Sequence, residues 1–99
     1  MSDIRVFKSQ IGEDMIGEVV DIKCEFKCYY IKNPANIVLQ ETESGVRVAI
    51  APVMPFAQGP IKVYFHSIAI EATPAEALVT EYKRVFSPIV VPDSRIILK

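Results

Sequence analysis

Phe26-Lys27-Cys28-Tyr29-Tyr30-Ile31-Lys32-Asn33-Pro34-Ala35-Asn36-Ile37-Val38-Leu39 is a strand pattern that changes phase halfway along. Phe26, Cys28 and Tyr30 hold even positions, yet beyond Lys32-Asn33-Pro34-Ala35-Asn36 the apolar residues continue at the odd positions Ile37 and Leu39. Strand side chains alternate with a period of two, so keeping one face inward through this segment requires a bulge or a sharp corner. Pro34 stands at the break and has no N–H to give to a ladder. A second slip lies downstream, where Ile61, Val63 and Phe65 give way to Ile68 and Ile70 around His66-Ser67. Two corners carrying Asn, Lys and His predict a small, strongly bent barrel with a polar loop site, because bulges re-aim side chains and recur beside working surfaces.

Strand signals surround these corners. Ile4 to Lys8 forms a first run, and Ser9-Gln10-Ile11-Gly12-Glu13-Asp14 turns the chain into a second, in which Ile16, Val20 and Ile22 keep even parity. Lys23-Cys24-Glu25 turns it again before the long third run, Phe26 to Glu41, and Glu43-Ser44-Gly45 reads as a tight turn into Val46 to Ala51. Pro52 to Pro60 is a stiff, apolar loop that water solvates poorly, and Ile61 to Ala72 is the fifth run. Thr73-Pro74-Ala75-Glu76 then has the form of a capping box, with Thr73 as cap, Pro74 at the first helical position and Glu76 reaching back. The helix it opens puts Leu78, Tyr82, Val85 and Phe86 on one side and Glu81, Lys83 and Arg84 in water, and Ser87-Pro88 stops it. Ile89-Val90-Val91 and Ile96-Ile97-Leu98 mark the tail, Pro88 to Lys99, as one more strand, in cis or on another subunit, or as a partner-binding arm.

Composition narrows the function classes. The 99 residues suit one domain with a thin core, whereas 51% of them are apolar, which predicts an assembly that hides the surplus between subunits. A formal charge of -1 argues against strong general attraction to nucleic acid. No apolar run approaches a membrane span and no signal-peptide pattern opens the chain, so a cytoplasmic location without membrane contact is expected. Cys24 and Cys28, four apart on one strand, sit roughly 13 Å apart and out of disulfide reach unless the chain turns between them. With His66 as the one histidine, a metal site lacks ligands, and nothing forms a nucleophile, acid–base or phosphate-loop motif. The expectation is a non-enzyme without cofactor.

Two segments resemble the Sm-like (LSm/Hfq-like) family. Lys32-Asn33-Pro34-Ala35-Asn36-Ile37-Val38-Leu39 is similar to the first Sm motif, with Asn36-Ile37-Val38-Leu39 as the matching core, and Val63-Tyr64-Phe65-His66-Ser67-Ile68 looks like the tyrosine-lysine-histidine corner of the bacterial RNA chaperones of that family. Gly17-Glu18-Val19 stands where the second Sm strand carries glycine, and the layout also resembles small Sm-like proteins of cyanobacterial tailed phages. The chain departs from the pattern at Lys32, where aspartate is expected, at Phe65, where a basic residue is expected, and in lacking an arginine-glycine pair after the fourth strand. The resemblance implies a five-stranded Sm-like (SH3-type) barrel over residues 1–72, with a C-terminal helix and extended tail over 73–99 packed on the barrel or a neighbouring subunit. It further implies a homo-oligomeric ring of roughly five to seven copies that binds single-stranded RNA in the cytoplasm, the host's if the protein is phage-encoded.

The RNA-binding candidates are Lys32, Asn33, Asn36, Tyr64 and His66. The asparagine amides can donate to and accept from a base edge, Lys32 can meet phosphate, and Tyr64 and His66 can stack. Each has a plain structural alternative, since asparagines fill turns and a single histidine beside strands commonly serves packing. An alternative reading is an oligomeric scaffold that grips protein partners through Met54, Pro55 and Phe56 and the tail.

Overall fold

Six antiparallel strands and one helix make up the fold in the computed structural model, which describes residues 3–86. The strands are β1 (Ile4–Ser9), β2 (Asp14–Lys23), β3 (Cys28–Thr42), β4 (Gly45–Pro52), β5 (Ile61–Tyr64) and β6 (Ile68–Ala72), followed by the helix α1 (Glu76–Phe86). Pairing runs β4-β3-β2-β1-β6, and β5 joins the first part of β3 along the edge that β4 takes further on. The count is six rather than five because a single 3-10 turn at Phe65–Ser67 divides the fifth predicted run, at the second phase slip. The sheet is curled without forming a closed barrel. β5 and β6 are continuous through that turn, but they do not pair with each other, and among the described residues β4 and β6 end the ladder.

The first slip is a β-bulge. Ile16 pairs with Ala35 while Glu18 pairs with Lys32, so β3 spends one residue more than β2 across Asn33 and Pro34. Asn33 takes a left-handed φ of 52°, a conformation that asparagine tolerates better than most residues. Ile31 and Ala35 share parity, yet the bulge sends Ile31 to one face of the sheet and Ala35 to the other. β2 carries a compensating bulge, since Val19 faces Ile31 and Asp21 faces Tyr30. It turns Val20 and Ile22 outward, against the even-parity expectation for β2, and both are exposed. Phe26 is also relocated: it sits in a 3-10 turn at Cys24–Phe26, 66% exposed, instead of starting the strand. The turn also separates Cys24, which is exposed, from the buried Cys28, and both thiols are free.

Both faces of the sheet are apolar. Phe7, Val19 and Ile31 pack with Met15, Tyr29, Val63 and Ile68 inside the curl. On the outer side Ile16, Ala35 and Tyr82 pack with Ile4, Val6, Ile37, Ile50, Leu78 and Phe86, so α1 covers that face with residues spaced four apart. Arg5 clasps the Asp3 carboxylate with two bonds (3.0 and 2.9 Å), reaches Glu71 at 2.6 Å and lies over the Tyr29 ring, joining β1, β3 and β6. The bonded guanidinium holds the Asp3 carboxyl below its usual range.

The helix starts later than its capping signal. The first i→i+4 bond runs from the Val79 N–H to the Ala75 carbonyl, which puts Ala75 at the cap and leaves Thr73 and Pro74 outside the helix. Leu78, Tyr82 and Phe86 still seat on the sheet, and Thr73 and Pro74 serve as the link between β6 and the helix. Val85, expected on the inner side, is exposed. Thr73→Ala is therefore expected to change stability by less than about 0.5 kcal/mol in urea titration, where a true cap would lose about 1. The Ser87-Pro88 stop and the tail lie outside the described residues.

Candidate functional site

The two corners are built differently. At the bulge, the buried Tyr82 reaches across from α1 and its hydroxyl, sharing one proton, donates to the Lys32 and Asn33 carbonyls, each at 2.9 Å. Both carbonyls lie at the irregular step in the β2–β3 pairing, so the tyrosine hydroxyl ties α1 to the backbone at the bulge. Burial first, and the nearby Glu18 carboxylate second, push the Tyr82 hydroxyl up to about 12, so it remains a donor throughout the physiological range. Gly17 lies against the same bulge, and a Cβ there would overlap the Cγ2 of Ile31.

At the second corner, the Ser67 hydroxyl donates to the Tyr64 carbonyl (2.8 Å), the Phe65 N–H to Lys27 (2.8 Å) and the Gln10 N–H to Ser67 (2.9 Å). Phe65 points inward and meets Tyr29 edge-on, with centroids 4.9 Å apart. Tyr64 and His66 point outward and stack on each other, 5.8 Å between centroids and 22° between planes. Tyr64 is 44% exposed and His66 is exposed as well, so both rings meet water.

The five candidate residues do not converge on one pocket. Lys32 and Asn33 line a groove of about 420 Å3 under the bulge, together with Pro34, Pro52, Met54 and Phe86. Tyr64 and His66 line a second groove, about 510 Å3, between the β5 edge and the turn after β1. Met54 and Ile61 belong to both, so the two grooves meet at a shared apolar ridge. Asn36 lines neither. It pairs with Met15, and its Oδ1 is buried without a hydrogen-bond partner among the described residues.

Two participants were missed in the sequence reading. Lys62 lines the second groove, and its parity with Tyr64 on β5 was the available signal. Gln10 lines it as well, brought in by its backbone bond to Ser67, for which no local pattern exists. Among the described residues, no cluster of His, Cys, Asp and Glu has the makings of a metal site, and no helix is long and apolar enough to cross a membrane. The sites amount to an aromatic platform and a polar-rimmed apolar groove, sharing one wall. Neither the protein-family models nor the curated proteins contain a match to this chain.

Proposed function

We propose that this protein is an Sm-like subunit of a homo-oligomeric ring that binds single-stranded RNA, with the Tyr64–His66 corner as its stacking platform. The observation that carries the reading is the outward-facing, nearly parallel aromatic pair on a backbone corner pinned by three hydrogen bonds. Every base has a π-face, so such a platform accepts any sequence and contributes about 1–3 kcal/mol per base. Lys62 beside the pair and Lys32 across the Met54–Ile61 ridge offer charge to the phosphates, and Asn33 adds a polar rim. A ring that repeats this modest contact raises the effective concentration of each successive site, which offsets the net charge of -1. The outer edges of β4 and β6, which pair with no other strand among the described residues, favour assembly between copies, with Leu39, Val46 and Ile70 exposed on these strands and the neighbouring β3.

Light scattering followed by titration of a U-rich or A-rich RNA at low salt tests this. Tyr64→Ala and His66→Ala are each expected to weaken binding about 5- to 150-fold, the equivalent of one stacked base, with the oligomer unchanged. An intact oligomer that ignores RNA at low salt would overturn the reading. That outcome would favour the scaffold alternative, for which the supporting observation is Phe56, 95% exposed at the tip of the proline-rich loop.

A further inference from the structure

The β3–β4 hairpin pairs without irregularity from Ala35 and Pro52 to Thr42 and Gly45, so Ile37, Leu39 and Glu41 share one face with Ile50, Val48 and Val46. Ile37 and Ile50 pack with α1, which makes this the outer face of the sheet. Further along the hairpin the cover ends: Leu39 and Val46 are each 67% exposed and Val48 37%, an apolar strip that runs on past the helix. Where the strip meets α1 a groove of about 650 Å3 opens, walled by Ile37 and Val48 on the sheet and Leu78 on the helix. Its rim carries two guanidiniums, Arg47 and Arg84, against one carboxylate, Glu81, which Arg84 holds with two bonds. Arg47 makes no ion pair among the described residues. The tip of the same hairpin has the opposite balance. Glu41 and Glu43 are exposed there, no basic residue stands between Gln40 and Gly45, and neither glutamate is ion-paired among the described residues.

We propose that this outer face is a two-fold interface between two copies of the chain, in which each hairpin tip lies on the other copy's groove and each Glu41 meets the other copy's Arg47. Charge complementarity names the occupant: the groove has a surplus of positive charge, and the acidic tip that matches it belongs to the same chain. The spacing fits a two-fold axis. Leu39 and Val48 form the middle pair, with Glu41 and Val46 two residues to one side and Ile37 and Ile50 two residues to the other. Each step is about 7 Å at ~3.4 Å per residue, so an axis through the middle pair with the hairpins antiparallel sets the acidic end of each copy on the groove end of the other. The same operation covers Leu39, Val46 and Val48, an exposed apolar strip that a separate peptide in the groove would leave in water. The groove shares no lining residue with the Tyr64–His66 corner, so the interface does not rest on the RNA reading.

Sedimentation of the full chain over a concentration series, without RNA, tests this. Glu41→Arg and Arg47→Glu each bring like charges together when identical copies meet, so either variant alone is expected to associate at least about tenfold more weakly than the unaltered protein. Mixed in equal amounts, the two variants face each other with opposite charges at both contacts, and the mixture should recover to within about threefold of the unaltered protein. A structural effect confined to one chain is not repaired by mixing. Leu39→Asp, at the axis, should weaken association at least about tenfold through the apolar strip, and circular dichroism should show its fold unchanged. Variants that associate as tightly as the unaltered protein, or a mixture no tighter than its components, would overturn the proposal, as would an unaltered chain that stays monomeric at about 100 µM.

Discussion

Tyr82→Ala is expected to lower the unfolding free energy by about 3–5 kcal/mol, a large share of the roughly 5–15 kcal/mol that holds a domain together. Tyr82 belongs to the outer core with Ile16 and Ala35, so truncation leaves a cavity between α1 and the sheet. It also removes the donor for the Lys32 and Asn33 carbonyls. Tyr82→Phe separates the two effects: the ring stays, the donor goes, and the loss should be about 1–2 kcal/mol. The hydroxyl adds a pH signature. Its folded-state pKa lies above the unfolded value of 10.0, near 12, so its contribution is complete below pH 10 and is lost as pH rises from 10 towards 12. Tyr29 is raised as well, chiefly by burial, so the test is a comparison: Tyr82→Phe should flatten the alkaline fall in stability relative to the unaltered protein. Urea titrations by circular dichroism at pH 7, 10 and 11 read both effects. A phenylalanine variant as stable as the parent, with an identical alkaline slope, would show that Tyr82 does not hold the bulge.

Gly17→Ala should be costly for the opposite reason, because it adds an atom where none fits. The new Cβ would overlap the Cγ2 of Ile31 and stand 3.4 Å from the Pro34 Cα, so it meets a fully buried side chain on one side and backbone on the other. Overpacking of this kind costs about 1–3 kcal/mol, and Gly17→Val more. Positive φ plays no part here, unlike at Gly12 and Gly45, where the surroundings are open. A double-mutant cycle isolates the clash. Ile31→Ala removes the offending methyl, so the combined variant should be less destabilised than the sum of the single changes by about 1 kcal/mol or more. Strict additivity would mean that β2 and β3 move apart without effort at the bulge.

Much of the architecture was legible because strand parity is a local signal with a geometric consequence. Both slips became departures from regular pairing at the residues that showed them, Asn33-Pro34 and Phe65–Ser67. Gly12 and Gly45 punctuate the chain where the turns occur, and the apolar spacing of Leu78, Tyr82 and Phe86 identified the face of α1. The helix start differs from its signal: Thr73-Pro74-Ala75-Glu76 is a local preference of about 1 kcal/mol, and the cap falls two residues further on, at Ala75. Val20 and Ile22 were misread because the second bulge leaves no mark in β2 itself: it exists only where β2 must match β3. For the candidate site, the sequence grouped Lys32, Asn33, Asn36, Tyr64 and His66 by residue type. Their distribution over two grooves and a buried position depends on which strand edges meet, information that no single segment carries.

By itself, then, the sequence determined the class of the fold, strands followed by one amphipathic helix, together with the places where the backbone had to break its alternation. Those features follow from period and backbone chemistry, which act between residues a few positions apart. Only the tertiary structure decided that the sheet curls without closing, that α1 buries its outer face, and that Tyr82 reaches some 50 residues back along the chain to hold the bulge. The reason is physical: buried backbone carbonyls need donors, and at the bulge a donor comes from a helix far away in sequence.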